Sequence, residues 1–125
     1  MKALIVDDAK VVRVALSRIM NQLGYESVKA ADGQQALEAM AEHPDTDVVM
    51  LDWNMPVMNG YEFLVALREQ PQHASSPKVI MVTTETGMSQ MLKALAAGAD
   101  EYVMKPFDKE MIGGKLEMVG LEVGE

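Results

Sequence analysis

Four apolar runs of strand length in this chain each stop at a polar side chain, and that recurrence constrains the fold more than any other feature. Ala3-Leu4-Ile5-Val6 runs into Asp7-Asp8, the run ending Met50-Leu51 meets Asp52, Val79-Ile80-Met81-Val82 meets Thr83-Thr84, and Val103-Met104 meets Lys105-Pro106. A weaker strand is expected over Glu26 to Ala30. Between the strands, apolar residues recur at helical spacing: Val11, Val12, Ala15, Leu16, Ile19, Met20 and Leu23; then Ala36, Leu37, Met40 and Ala41; then Tyr61, Phe63, Leu64 and Leu67. A fourth set is Met88, Met91, Leu92, Leu95 and Ala96, and a fifth is Met111, Ile112, Leu116 and Val119. Parallel neighbours need a crossover connection, so five strands alternating with five helices predict a doubly wound parallel sheet, an α/β fold. In such sheets ligands bind at the carboxyl edge of the strands, where all four polar stops would gather.

Local signals punctuate the same elements. Gly24 and Gly98 suit helix ends, and Asp32 suits an N-cap. His43-Pro44-Asp45 breaks the second helix, Asn59-Gly60 opens the third, and the last begins at Asp108. That last helix is weakened by Gly113-Gly114, each glycine costing about 1 kcal/mol relative to alanine. Pro71 to Pro77 reads as a polar connection and the longest loop. In the flavodoxin-like strand order 2-1-3-4-5 the first and third strands lie side by side, bringing Asp7, Asp8 and Asp52 together.

With 125 residues, 49% of them hydrophobic, the expectation is a single domain spanning 1–125 with a full core and no separate output domain. The absence of cysteine excludes disulfides and thiolate metal sites. No stretch reaches the roughly 18 consecutive apolar residues of a spanning helix, and the start lacks a signal-peptide core, so a cytoplasmic protein without membrane partners is expected. A formal charge of −8 argues against nucleic acid as a partner. Twelve methionines provide both core filling and adaptable surface.

Three carboxylates in one pocket repel one another unless a hard cation neutralises them or their pKa values rise. Mg²⁺, which takes one or two carboxylates, waters and a phosphate oxygen, suits the set. Asp52 at a strand end is a candidate nucleophile, because carboxylates form acyl phosphates, and Lys105 is placed to stabilise the transferring charge. Taken singly, each of these residues has a plainer role: acids after strands cap helices, Thr83 caps a strand, and a lysine before proline is solvated. The combination is what carries chemistry. Neither His43 nor His73 has ligand spacing, and both are expected at the surface.

Val6-Asp7-Asp8, Asp52-Trp53-Asn54-Met55-Pro56 with Asn59-Gly60, Thr83, and Tyr102-Val103-Met104-Lys105-Pro106-Phe107 resemble the receiver domain of two-component response regulators, specifically the single-domain chemotaxis (CheY) type. The resemblance covers nearly the whole chain. It implies that Asp52 accepts a phosphoryl group from a histidine kinase, a histidine phosphotransfer protein or a small donor, the domain catalysing its own phosphorylation and dephosphorylation and nothing else. It implies Mg²⁺ held by Asp8 and Asp52 with the Asn54 backbone carbonyl, and by Asp7 through water. Lys105 would pair with the phosphoryl group across a cis Lys105-Pro106 peptide. Thr83 and Tyr102 would form the switch, whose output is read on the fourth helix, fifth strand and fifth helix, for instance by a flagellar motor switch. Asn54 and Glu85 occupy positions that set hydrolysis and imply a short-lived phosphoryl state.

Some positions depart from that pattern. Thr84 stands where a smaller residue is commoner, and Gly87, Met88, Met91 and Leu95 make the output face more apolar and less basic, unless those side chains are core. Lys10 either pairs with the acids or is solvated. Within the receiver reading, a phosphorelay intermediate or phosphate sink is the alternative to motor control. From other classes, a flavodoxin-like flavin or nucleotide binder needs a phosphate cradle where Asp7-Asp8 place negative charge. An aspartate-nucleophile phosphatase lacks its acid pair on one strand end, and a phosphate-independent adaptor is at odds with a fully furnished acceptor site.

Overall fold

The computed structural model describes residues 1–84 and 87–124. Strands β1 (Lys2–Val6), β2 (Glu26–Ala30), β3 (Val48–Leu51), β4 (Lys78–Thr83) and β5 (Glu101–Met104) alternate with helices α1 (Lys10–Gln22), α2 (Gly33–Glu42), α3 (Gly60–Glu69), α4 (Met88–Ala96) and α5 (Lys109–Met118). All pairings are parallel and the order is β2-β1-β3-β4-β5, the doubly wound arrangement expected.

Both faces of the sheet are covered, which is why its strands are continuous apolar runs rather than alternating ones. Successive side chains still point to opposite faces. Leu4, Val6, Val49, Leu51, Val79 and Met81 pack with Ala36 and Met40 of α2, Phe63, Leu64 and Leu67 of α3, and Ala94 of α4. Ala3, Ile5, Val48, Met50, Ile80 and Val82 pack on the other side with Leu16 and Met20 of α1 and Ile112 and Leu116 of α5.

The helix starts follow their chemistry. Asp32, Asn59 and Asp108 each accept a bond from a backbone N–H in the first turn, at Gln35, Glu62 and Met111, and Glu62 returns a contact to Asn59 to complete a capping box. Gly24 and Gly98 take positive φ beyond α1 and α4. Gly60 has a different reason: a Cβ there would collide with the Asp52 carbonyl oxygen, so the α3 terminus can close on the end of β3 only with glycine in place.

Several expectations are corrected. His73 is buried, its ring Nδ1 3.1 Å from the Ser76 carbonyl oxygen, because Pro71–His73 forms a 3-10 turn that folds the connection inward. Val11 and Ala15 are exposed on α1, whose inner face is carried by Leu16, Ser17 and Met20. On α4, Met88, Leu92 and Leu95 lie at the surface; Ala94 is buried and Met91 packs partly against the core. The small Ala94 is the buried residue of the helix, and the larger apolar side chains stay outside. The helix expected from Asp108 onward is present as α5, which runs through Gly113 and Gly114.

Candidate functional site

The site follows from register. Val6 is paired with Leu51, so the next residue of each chain segment, Asp7 and Asp52, emerges at adjacent strand ends. The Asp52 N–H donates to the Val6 carbonyl at 2.9 Å, fixing that offset, and the Asp7 N–H donates to Ala30 at 3.1 Å on the other side. Thr83 is paired with Met104, and the Lys105 N–H donates to the Thr83 carbonyl at 3.0 Å. All four polar stops therefore share the carboxyl edge of the sheet. The Lys105-Pro106 peptide is cis.

Asp52 is 7% exposed and Asp7 1%. Their oxygens and that of the exposed Asp8 come within 4.8 Å of one another. Lys105 Nζ lies 2.8 Å from Asp7 Oδ2 and 3.6 Å from Asp52 Oδ2. The Trp53 N–H donates to Asp52 Oδ1 at 2.8 Å, and the buried Thr83 hydroxyl lies near enough to the Asp52 carboxylate to favour its charged form. Burial, reinforced by the Asp7 charge, pushes the Asp52 carboxyl above its usual pKa; Lys105, Thr83 and the Trp53 amide oppose the shift. Removal from water dominates here because the charged form loses hydration that its neighbours only partly replace.

Three acids against one ammonium leave negative charge uncompensated, and the donors are hard carboxylate oxygens opening on an exposed edge through Asp8. That chemistry fits Mg²⁺. Asn54 is exposed two residues after Asp52, in the same loop. Tyr102 is 6% exposed, its ring in the core layer that includes Ala94 and Met91. Glu85 lies outside the described residues.

The sequence reading missed three contributors. Arg13 donates from Nη1 to the Asp7 carbonyl at 2.7 Å, the Ala9 N–H donates to Asp7 Oδ1 at 2.9 Å, and Trp53 supplies its amide to Asp52. Arg13 sits one turn into α1, within reach of the Asp7 backbone, whereas Lys10 is exposed. Backbone donors carry no residue-type signal.

Residues 3–117 match the family model for the response regulator receiver domain. The chain belongs to that family. This receiver is 39% identical over 120 residues to chemotaxis protein CheY1 of Helicobacter pylori, with 95% of this chain and 96% of that one covered. It is 34% identical to chemotaxis protein CheY of Pseudomonas aeruginosa over 95% of both chains. Among solved structures it resembles Vibrio cholerae chemotaxis protein CheY4, with a TM-score of 0.87, 38% identity and coverage of 94% of this chain and 97% of that one. It also resembles the CheX–CheY–BeF₃–Mg²⁺ complex of Borrelia burgdorferi, with a TM-score of 0.90, 28% identity and coverage of 98% and 90%. The receiver is thus homologous to chemotaxis CheY regulators, a two-component signalling class, and carries an acidic pocket of the kind at which receivers bind Mg²⁺. No helix among the described residues is long and apolar enough to cross a membrane.

Proposed function

We propose that this receiver accepts a phosphoryl group on Asp52 from a histidine kinase or histidine phosphotransfer protein and signals by altered protein binding, as a chemotaxis regulator of the motor-control type. The observation that carries this reading is the convergence of a buried Asp52 with the Thr83 hydroxyl, the Lys105 ammonium and two further acids at one strand edge. A carboxylate oxygen of Asp52 forms the bond to phosphorus as the phosphorus–nitrogen bond of the donor breaks, the imidazole leaving with the electron pair. Lys105 offsets charge on the phosphoryl oxygens, and Thr83 turns its hydroxyl to one of them. Mg²⁺ held by Asp7, Asp8, Asp52 and the Asn54 carbonyl supplies further neutralisation when bound. Asn54 and Glu85 set how fast the phosphoryl group is hydrolysed.

Thr83 and Tyr102 are the switch pair: a hydroxyl drawn to the phosphoryl group opens room beside the Tyr102 ring, and phosphate thereby favours one of two packings. Output is read from α4, β5 and α5, where Met88, Leu92, Leu95, Met111 and Met118 are exposed. The test is incubation with acetyl phosphate and Mg²⁺, followed by intact mass. A phosphoryl adduct on the wild type and none on Asp52→Asn supports the assignment; an adduct on both overturns it. Faster phosphate release in the wild type than in Asn54→Arg and Glu85→Leu checks the roles of those two positions. Recruitment of a motor-switch protein by the beryllofluoride-loaded form supports motor control, whereas binding only to kinases or phosphotransfer proteins, unchanged by loading, favours a sink or relay.

A further inference from the structure

Trp53 touches Asp52 through its backbone, and its side chain is held by the first turn of α3. The indole stacks on the Tyr61 ring with centroids 5.6 Å apart and planes 21° from parallel. The Lys93 ammonium sits 4.4 Å from the centroid of that same ring. Three residues thus connect α4 to the carboxylate: Lys93 to Tyr61 by cation–π attraction, Tyr61 to Trp53 by stacking, and Trp53 to Asp52 Oδ1 by its N–H at 2.8 Å. The Trp53 carbonyl is fixed as well, accepting from the Gly60 N–H at 2.9 Å. Lys93 is the only charged residue of α4.

We propose that Lys93 and Tyr61 are positioning residues for phosphoryl transfer: the ammonium holds the phenol ring, the phenol holds the indole, and the held indole keeps the Trp53 peptide aimed at Asp52. This rests on Asp52 being the acceptor. A peptide already aimed needs no ordering when the carboxylate gains its phosphoryl group, so the stack favours the loaded state. Coupling is reciprocal, so a partner that draws the Lys93 ammonium away from Tyr61 weakens loading by the same factor that loading weakens the partner. Lys93 is exposed and lines an open groove between α3 and α4, so an acidic group on a partner can reach it.

The experiment uses the fluorescence of Trp53, the only tryptophan in the chain, to titrate beryllofluoride in excess Mg²⁺, reading midpoints rather than amplitudes. Lys93→Met keeps the stem and loses the charge; it is expected to raise the midpoint about two- to five-fold, with Lys93→Arg close to wild type. Tyr61→Leu should raise the midpoint at least as much, and adding Lys93→Met to it should raise it no further. A Lys93→Met midpoint equal to wild type, or the same loss in the Tyr61→Leu background, overturns the positioning role. An Asp52→Asn protein that responds as the wild type does overturns the acceptor assignment and this inference with it. A silent Asp52→Asn beside an unaltered Lys93→Met removes the positioning role alone.

Discussion

Lys105 Nζ lies 2.8 Å from Asp7 Oδ2 although β3 and β4 separate their strands in the sheet. The lysine spans the acidic pocket and holds as an ion pair a carboxylate that is otherwise sealed from water. Replacing it by Lys105→Met leaves Asp7 buried without its cation, at an expected cost of about 3 kcal/mol. Mg²⁺ at millimolar concentration should recover much of that loss by taking the ammonium's place. Urea denaturation with and without the metal measures both.

Asp52 carries the opposite liability. Its folded-state pKa is raised, first by burial and then by Asp7, so folding favours protonation relative to the unfolded chain. The stability associated with this group is present below the unfolded carboxylate pKa and lost as pH rises through the folded one. At neutral pH without metal, Asp52→Asn should therefore be more stable than the wild type. The difference should shrink as pH falls into the carboxylate range, and thermal melts across pH give the comparison.

Val57 adopts φ +68°, a region that disfavours branched side chains, and the Met58 N–H donates to the Pro56 carbonyl at 2.7 Å around it. This is a γ-turn with a β-branched residue at its centre. The side chain is 83% exposed and gains little from packing to offset the strain. Val57→Gly, which carries no Cβ to clash at positive φ, is expected to stabilise the fold by about 1 kcal/mol. The urea midpoint should rise at constant slope.

Arg68 ties the end of α3 to the turn between α4 and β5. Its Nε donates to the Gly98 carbonyl at 3.1 Å, Nη1 to the His73 carbonyl at 3.2 Å and Nη2 to Asp100 Oδ2 at 3.1 Å. Asp100 Oδ2 also accepts from the Val79 N–H at 2.8 Å, so the guanidinium is linked to the start of β4. Arg68→Met strips three acceptors at once and should cost about 3 kcal/mol. Arg68→Lys should recover little, since an ammonium cannot reproduce the planar fork. Chemical denaturation of both variants tests the distinction.

The sequence by itself determined the alternation of strands and helices and the polar residues that close the strands. Buried parallel strands must be apolar along their whole length, so their ends were marked by the first polar residue, and Asp7, Asp52, Thr83 and Lys105 were visible at once. Helix starts were equally plain, because Asp32, Asn59 and Asp108 satisfy orphan amides locally. What tertiary structure alone decided is which face of each helix turns inward and which distant groups meet. Helical spacing marked Met88, Leu92 and Leu95 as an apolar set, yet Ala94 is the residue that is buried, since which face of α4 turns inward depends on every neighbouring layer. His73 is buried by a turn with no periodic signal. The Trp53–Tyr61–Lys93 stack joins residues from three elements whose separation in the chain carries no trace of their contact. Local chemistry writes itself into sequence; contacts between elements are settled only when the layers close and side chains compete for the same space.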